Sequence, residues 1–239
     1  MTGEQRCEMN RTCVQCGKNI EGDGIVFCPY CGAKLETASI PEKRNGEETK
    51  WIDKALSATS YPERKKILEK GLTACPESRE IRWELLFIGE EGPKKGKVID
   101  YSVIKCWIME IYWKPGDFPE EKRNRMRSEL FDAPRLQETL ALYDDPERKQ
   151  QEYLQRICRE YVELFLEGSN QIMGNIFGFQ LERNKDRKLA VPVARMIANI
   201  RADEKLSPEQ REMLWKAMYQ AYGARTGGRM EHLDAALNN

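Results

Sequence analysis

The N-terminal part of the chain repeats one short cysteine unit. Residues 13–20 read CVQCGKNI and residues 28–35 read CPYCGAKL, so the pattern C-x-x-C-G-x-x-apolar occurs twice. Two residues between paired cysteines let one tight turn present two sulfurs, and four thiolates at about 2.3 Å hold Zn²⁺ tetrahedrally. The glycine after each second cysteine, Gly17 or Gly32, suits the positive φ that such a turn needs. The duplicated spacing therefore predicts a zinc site with sulfur ligands.

The region from Thr12 to Leu35 resembles a small zinc ribbon of the kind found at the N-terminus of many bacterial proteins, in which a second unit similar to FCPYCGAKL is typical. Residues 21–24 (EGDG) indicate a turn, and residues 25–27 (IVF) indicate a short strand leading back to the metal. The resemblance implies a β-hairpin ribbon that holds one structural Zn²⁺ ion. The ligands that it implies are Cys13, Cys16, Cys28 and Cys31.

A redox role for the two C-x-x-C pairs is the competing interpretation. Neither pair opens a helix in a βαβ context, which is the setting of thioredoxin-like motifs. Four cysteine ligands close the coordination shell and leave no position for water, so we expect a structural site rather than a catalytic one. Metal binding, on the order of 10 kcal/mol, would stabilise a unit too small for its own core. The remaining cysteines, predicted to be free or buried as small apolar side chains, are Cys7, Cys75, Cys106 and Cys158.

The character of the chain changes after the ribbon. Residues 36–50 are polar and charged, which predicts a linker between the ribbon at residues 1–35 and a domain at residues 51–239. Beyond Trp51 the prolines lie mostly where helices begin, and apolar residues recur at helical spacing. The predicted fold class is therefore mainly α, with a small N-terminal zinc ribbon followed by an all-α domain of about eight helices in antiparallel pairs.

Local signals mark several helix starts. Residues 207–210 (SPEQ) offer an N-cap hydroxyl, a proline at the first helical position and a glutamine able to reach back to the cap. Residues 145–146 (DP) predict the start of a long helix that ends near Gly168, and residues 117–120 repeat the capping pattern. The other predicted helices cover residues 62–74, 77–88, 98–113, 134–143 and 191–200.

Two of these helices have informative apolar faces. The helix predicted at residues 98–113 is apolar on more than one side, so we expect it to lie at the centre of the helical domain. The helix that follows residue 207 has one apolar face with helical spacing. The residues expected to be buried on that face are Leu214, Ala217, Met218, Ala221 and Tyr222.

Residues 67–90 (ILEKGLTACPESREIRWELLFIGE) resemble the junction between two tetratricopeptide-type repeats. Leu68, Gly71, Pro76 and Leu85 fall where that family places its large apolar residue, its small residue, its turn proline and its leucine. No second copy follows at the period of about 34 residues that the family uses. The resemblance implies antiparallel helix pairs and, by analogy, a surface that binds another protein.

The charge balance restricts how the chain could bind nucleic acid. Lys and Arg number 39, and Asp and Glu also number 39, so only a local patch could attract a polyanion. Two basic runs, at residues 122–127 and 183–188, offer such patches, although acidic residues beside them also fit ordinary solvated helix faces. The candidate nucleic-acid contacts are Arg123, Arg127, Arg183 and Arg187.

The remaining signals restrict the class of function. The single histidine, His232, argues against histidine-based acid/base chemistry, and the first ten residues lack the apolar segment of a secretory signal. We expect a cytoplasmic protein with no membrane contact and no small-molecule substrate. The leading hypothesis is a non-catalytic zinc-binding adaptor whose helical domain binds a protein partner. The alternatives are a nucleic-acid-binding accessory factor that uses the ribbon and the basic runs, and an enzyme with an acidic or tyrosine-based site.

Overall fold

The computed structural model describes residues 11–12, 19–20, 46–88, 105–167 and 185–238. These residues are mainly helical, which confirms the predicted fold class at that level. No helix in this part of the chain is long and apolar enough to cross a membrane. The four predicted zinc ligands, Cys7, Arg183 and most of the predicted linker lie outside the described residues.

One short ladder lies near the first cysteine unit. Strand β1 (Arg11–Thr12) pairs antiparallel with strand β2 (Asn19–Ile20), so that Arg11 lies opposite Ile20 and Thr12 opposite Asn19. In the sequence, the two strands flank residues 13–18, which contain Cys13 and Cys16. The pairing therefore brings together the residues on either side of the first cysteine pair.

The first three helices share a small apolar core. Helices α1 (Gly46–Leu56), α2 (Tyr61–Ala74) and α3 (Arg79–Leu85) pack against one another. The side chains of Ser60 and Ser78 accept hydrogen bonds from backbone N–H groups at the starts of α2 and α3, because a free hydroxyl at an N-cap satisfies an otherwise unpaired donor. The buried residues of this core are Ile52, Ala55, Ile67, Leu68, Ile81, Leu85 and Ile88.

Helix α1 begins inside the segment predicted to be a linker. It starts at Gly46, and residues 46–50 of the predicted linker at 36–50 are helical. Glu47 and Glu48 lie in its first turn, where negative charge favours the exposed N–H groups of a helix. Within residues 46–50, the charge that indicated a linker thus lies in the first turns of a helix that packs on α2 and α3.

Gly71 on α2 faces side chains of both α1 and α3. A Cβ atom at this position would lie 2.9 Å from Trp51 Cβ and 3.1 Å from Ile81 Cδ1. Both distances are too short for an ordinary contact, so the packing here requires a residue without a side chain.

The rest of the described chain forms a second, larger core. Its helices are α4 (Glu110–Trp113), α5 (Glu120–Phe131), α6 (Pro134–Leu140), α7 (Pro146–Tyr161), α8 (Lys185–Arg201), α9 (Pro208–Arg225) and α10 (Glu231–Leu237). Short 3₁₀ segments cover Lys105–Met109 and Pro115–Asp117, and one π-helical segment, Val162–Glu167, follows α7. Helix α7 packs against α9, while α8 contacts α4, α9 and α10.

Two of the predicted helix starts are confirmed. Ser207 Oγ accepts the Gln210 N–H at 3.2 Å, and Gln210 Oε1 accepts the Ser207 N–H at 3.0 Å. Asp145 Oδ1 likewise accepts the Arg148 N–H at 3.0 Å and begins α7. The face of α9 predicted to be buried is buried at each of its five positions: Leu214, Ala217, Met218, Ala221 and Tyr222.

Other sequence predictions are wrong in detail. Residues 98–113 do not form one regular α-helix, because a 3₁₀ segment at Lys105–Met109 precedes the short α4. The predicted capping by residues 117–120 is also wrong, since α5 begins after Pro119, which makes no side-chain cap. Helix α8 begins at residue 185 rather than 191 and contains Pro192 within it. The proline that the sequence places at the start of this helix lies instead within its N-terminal half.

Helix α3 joins the two cores. Both guanidinium Nη atoms of Arg156 on α7 donate to the two carboxylate oxygens of Glu84 on α3, each at 2.8 Å. The same guanidinium lies 3.8 Å from the ring centroid of Phe87. Trp83 packs edge-to-face against Phe87 and Tyr143. The α3 side of the small core is thus held to α7 by an ion pair and by aromatic contacts.

Candidate functional site

The α5 basic run contains an arginine that is not available to a ligand. Arg127 is 6% exposed, and its Nε donates to Asp203 Oδ2 at 2.7 Å. Its Nη1 donates to Glu120 Oε1 at 2.9 Å and to Asn124 Oδ1 at 2.6 Å. Burial lowers the pKa of Arg127, but the hydrogen bonds to both carboxylates outweigh this effect and raise its pKa. The guanidinium of Arg127 is therefore engaged inside the protein rather than presented to solvent.

A second arginine of α5, Arg123, is also paired, and Lys122 lies over two aromatic rings. Arg123 Nη1 lies 3.2 Å from Glu120 Oε2, so one carboxylate contacts two arginines. The hydrogen bond from Arg127, helped by the charge of Arg123, lowers the pKa of Glu120. Lys122 Nζ lies 5.5 Å from the Trp107 ring centroid and 5.0 Å from that of Phe118. Of the candidate contacts on this run, neither arginine presents a free guanidinium.

The second basic run continues into a different kind of surface. Residues 187–202 contain four basic residues and no Asp or Glu, in a chain whose acidic and basic residues are equal in number. The inner side of α8 is apolar and buried. Its outer side, which we call the α8 face, consists of the exposed residues Arg187, Lys188, Val191, Arg195, Ala198, Arg201 and Ala202.

The helical repeat explains why these residues lie together. At about 100° per residue, all seven fall within an arc of about 140° on one side of the helix. Val191, at 59% exposure, is one of the most exposed large apolar residues in the described chain. Within the described residues, none of the four cations of the face forms an ion pair. The α8 face is therefore positive and contains only basic and small apolar side chains.

Two tryptophans lie along the edges of the α8 face. The Arg195 guanidinium carbon lies 5.4 Å from the ring centroid of Trp113, which belongs to α4. The Arg201 guanidinium carbon lies 4.4 Å from the ring centroid of Trp215, which belongs to α9. These distances are within the range of cation–π contacts. Both tryptophans are partly buried against the larger core, so each ring is fixed in position under an exposed arginine.

Hydrogen bonds fix α8 at both ends. Near its C-terminal end, Asn199 Nδ2 donates to the backbone oxygen of Tyr112 at 2.7 Å. At its N-terminal end, the Tyr222 hydroxyl donates to the backbone oxygen of Asp186 at 3.0 Å. The carboxylate of Asp186 pairs with Arg229, whose Nη2 lies 2.6 Å from Oδ2. The acidic residue that precedes the α8 face is thereby neutralised.

A surface cavity of about 660 Å³ lies between α5, α6, α7 and α9, and it has a different character. Its lining includes Asp132, Asp145, Glu147 and Glu209. Asp145 is the N-cap of α7, and the Glu209 carboxylate accepts the Ser207 hydroxyl at 2.8 Å. Two of the carboxylates are therefore engaged at helix N-termini, and the cavity would repel an anion.

The described residues contain three free thiols, of which two are buried. Cys106 and Cys158 are fully buried, as the sequence predicted. Burial raises the pKa of both thiols, so they remain protonated at neutral pH. Cys75 is partly exposed at the end of α2. The described residues contain no group of three or more potential metal ligands.

The predicted site residues thus have different outcomes. Arg187 is exposed on the α8 face, whereas Arg123 and Arg127 are paired on α5. Sequence reasoning missed Arg195 and Arg201, although the absence of acidic residues from 187 to 202 was a readable signal. The chain matches no family model, and the searches of the curated proteins and of the solved structures found no similar protein.

Proposed function

We propose that this chain is a non-catalytic nucleic-acid-binding protein that contacts the phosphate backbone through the α8 face. The observation that carries the proposal is the row of four cations, Arg187, Lys188, Arg195 and Arg201, with no Asp or Glu from residue 187 to residue 202. From residue 187 to residue 201 the row extends over about 21 Å of helix axis. A polyanion that covers this row would release its own condensed counterions, which is the main source of sequence-independent affinity for nucleic acids.

Comparison with another helix surface supports the binding of an external anion by the α8 face. A solvated helix commonly places opposite charges four residues apart, as α9 does with Glu212 and Lys216 at 2.5 Å. On α8, the corresponding series Arg187, Val191 and Arg195 has no acidic member. The positive charge of this face is therefore not balanced within the helix, and phosphate groups are suitable partners.

The zinc ribbon remains part of the proposal as a second module. Four thiolates in two C-x-x-C-G units match the ligand preference of Zn²⁺, and the pairing of β1 with β2 next to Cys13 suits a hairpin that carries a metal unit. A second contact linked to the helical domain would raise the effective concentration at a shared ligand. Metal analysis of the wild type and of Cys28→Ser tests the site, and equal zinc in both would count against it.

The binding proposal is tested with a labelled 30-nucleotide single strand of mixed sequence, titrated at several salt concentrations. We expect the logarithm of the affinity to fall with the logarithm of the salt concentration, by roughly 0.7 for each phosphate contact. Reversal of Arg187, Arg195 and Arg201 to Glu should reduce the affinity by about 100-fold or more. The matched control reverses three exposed cations elsewhere, at Lys66, Lys70 and Arg125.

Both variants change the net charge by the same amount, so a general charge effect would weaken binding in both. Circular dichroism and the urea midpoint establish that each variant is folded. Equal affinity of the α8 variant and the control would overturn the proposed function.

The second candidate function is the protein-binding adaptor. It is favoured by the close packing around Gly71, at the position where the tetratricopeptide resemblance has its small residue. A protein partner of this unit should be retained by the α8 variant and lost on Leu56→Asp, since Leu56 is 51% exposed at the end of α1. A partner lost in the α8 variant and retained by Leu56→Asp would instead favour α8 as the binding surface.

A further inference from the structure

We infer that the nucleic acid bound by the α8 face is single-stranded and that its bases stack on the Trp113–Arg195 and Trp215–Arg201 pairs. This inference rests on the proposed function and names its ligand. Each pair combines an aromatic ring with a guanidinium, at 5.4 Å and 4.4 Å between centroid and carbon. Planar guanidinium groups and aromatic rings are the surfaces on which unpaired bases stack.

The two pairs lie on opposite edges of the α8 face. Positions 195 and 201 are separated by about 9 Å along the helix axis and by about 120° around it. Between the edges, the side chains of Val191, Ala198 and Ala202 are short and exposed. A strand that crosses the face can therefore place bases at both edges and its backbone beside the cations, without meeting a bulky side chain between them.

Sequence-specific recognition of a duplex requires a different geometry. A helix that reads a duplex inserts into a major groove about 12 Å wide and presents side chains that reach the base edges. Helix α8 contacts both α4 and α9, and Trp113 and Trp215 of these two helices lie along its flanks, where the walls of a groove would have to pass. Contact with the backbone of a duplex would not use the two tryptophan–arginine pairs, whereas an unpaired strand can stack on them.

The side chains of the face also indicate little sequence preference. Asparagine and glutamine, which read adenine edges, do not occur among the seven residues of the α8 face. Stacking tolerates any base, since every base has a π-face, and phosphate contacts carry no sequence information. We therefore expect affinity to depend on whether the strand is unpaired and only weakly on its base composition.

The experiment compares a labelled 20-nucleotide single strand with a blunt 20-base-pair duplex of the same sequence, at the same salt concentration. The wild type should bind the single strand at least tenfold more tightly than the duplex. Combined Trp113→Leu and Trp215→Leu substitution should weaken single-strand binding about tenfold and leave duplex binding unchanged. The control is Trp51→Leu, which removes a partly buried tryptophan of α1 that lies in the small core.

A second variant keeps the test decisive if the tryptophan variant does not fold. Arg195→Lys with Arg201→Lys preserves both charges but removes the planar groups, so single-strand affinity should fall several-fold at an unchanged salt slope. Duplex binding as tight as single-strand binding, unaltered in both variants, would overturn this inference and leave the proposed function standing. Absence of binding to either probe would overturn the proposed function itself.

Discussion

Helix α5 and the α8 face carry four cations each, yet the two sets have different surroundings. Residues 120–131 contain four basic residues and three glutamates, whereas residues 187–202 contain four basic residues and no acid. On α5, Arg123 and Arg127 share Glu120, and Arg127 also contacts Asp203. On α8 the arginines contact tryptophan rings and solvent.

The difference shows that a run of basic residues does not by itself identify a surface that binds an anion. Its role depends on which positions of the helix turn inward and on whether acids from other elements reach them. Buried arginines stabilise the fold through paired carboxylates, and exposed arginines without acids remain available to an external anion. Four changes to the chain test this distinction, in order of decreasing effect.

The largest effect on stability is expected at the buried ion pair between Arg127 and Asp203. Asp203→Asn removes one carboxylate from Arg127 and should lower the free energy of unfolding by about 3 kcal/mol, because a buried charge loses its main partner. Arg195→Met, on the α8 face, should change stability by less than about 0.5 kcal/mol. Urea denaturation measures both values.

A double variant separates the effect of charge from that of packing at the Arg127–Asp203 pair. Arg127→Met with Asp203→Leu replaces both charges by apolar groups and should recover much of the lost stability. A similar loss in Asp203→Asn and Arg195→Met would show that the two helices do not differ in the way described.

For binding, a substitution on the α8 face should have a larger effect than a substitution on α5. Arg195→Glu should weaken single-strand binding about tenfold, because a phosphate contact is replaced by a like charge. Arg125→Glu changes an exposed cation of α5 by the same charge and should weaken binding less than about twofold. Anisotropy titrations at one salt concentration measure both affinities, and equal losses would place the binding surface across both helices.

The third change places an acidic residue among the cations of the α8 face, as on α5. Ala198→Glu adds a carboxylate three residues from Arg195 and three from Arg201 on the exposed side. The new i,i+3 pairs should stabilise the helix by roughly 0.2–0.5 kcal/mol, while binding of the single strand should weaken about fivefold. Ala198→Gln is the control of similar size, and an equal loss of affinity in it would assign the effect to bulk rather than charge.

The smallest effect concerns pH. The hydrogen bond from Arg127 lowers the pKa of Glu120 below its unfolded value, so the ionised carboxylate contributes stability above the unfolded pKa that is lost as pH falls through the folded pKa. Stability should therefore fall less between pH 7 and pH 3 in Glu120→Gln than in the wild type. Glu121→Gln, at the adjacent exposed position, should retain the wild-type decrease, and identical profiles for all three proteins would contradict the role of Glu120.

Local chemistry was predictable from the sequence, and long-range pairing was not. The caps at Ser207 and Asp145 depend on residues within one turn, so their pattern is visible in the sequence. Arg127 contacts Asp203, which lies 76 residues further along the chain, and no local pattern in the sequence indicates that contact. The zinc ligands stay a prediction, because they lie outside the described residues.

The α8 face carries a signal that is visible in the sequence. The basic run at residues 183–188 leads into a stretch, residues 187–202, that contains no Asp or Glu. Pro192 indicates a helix start near Val191, whereas the helix begins at residue 185 and carries Arg187, Arg195 and Arg201 together. A proline within a helix removes one backbone hydrogen bond, yet burial of the inner face of α8 outweighs that cost.

The ion pair between Arg156 and Glu84 links the unfolding of the first three helices to that of the larger core. Separation of these helices from the rest would break this pair and would expose the rings of Trp83 and Phe87 to water. Both losses add to the free energy of opening α1 to α3 alone, so we expect these helices to unfold together with the larger core rather than before it.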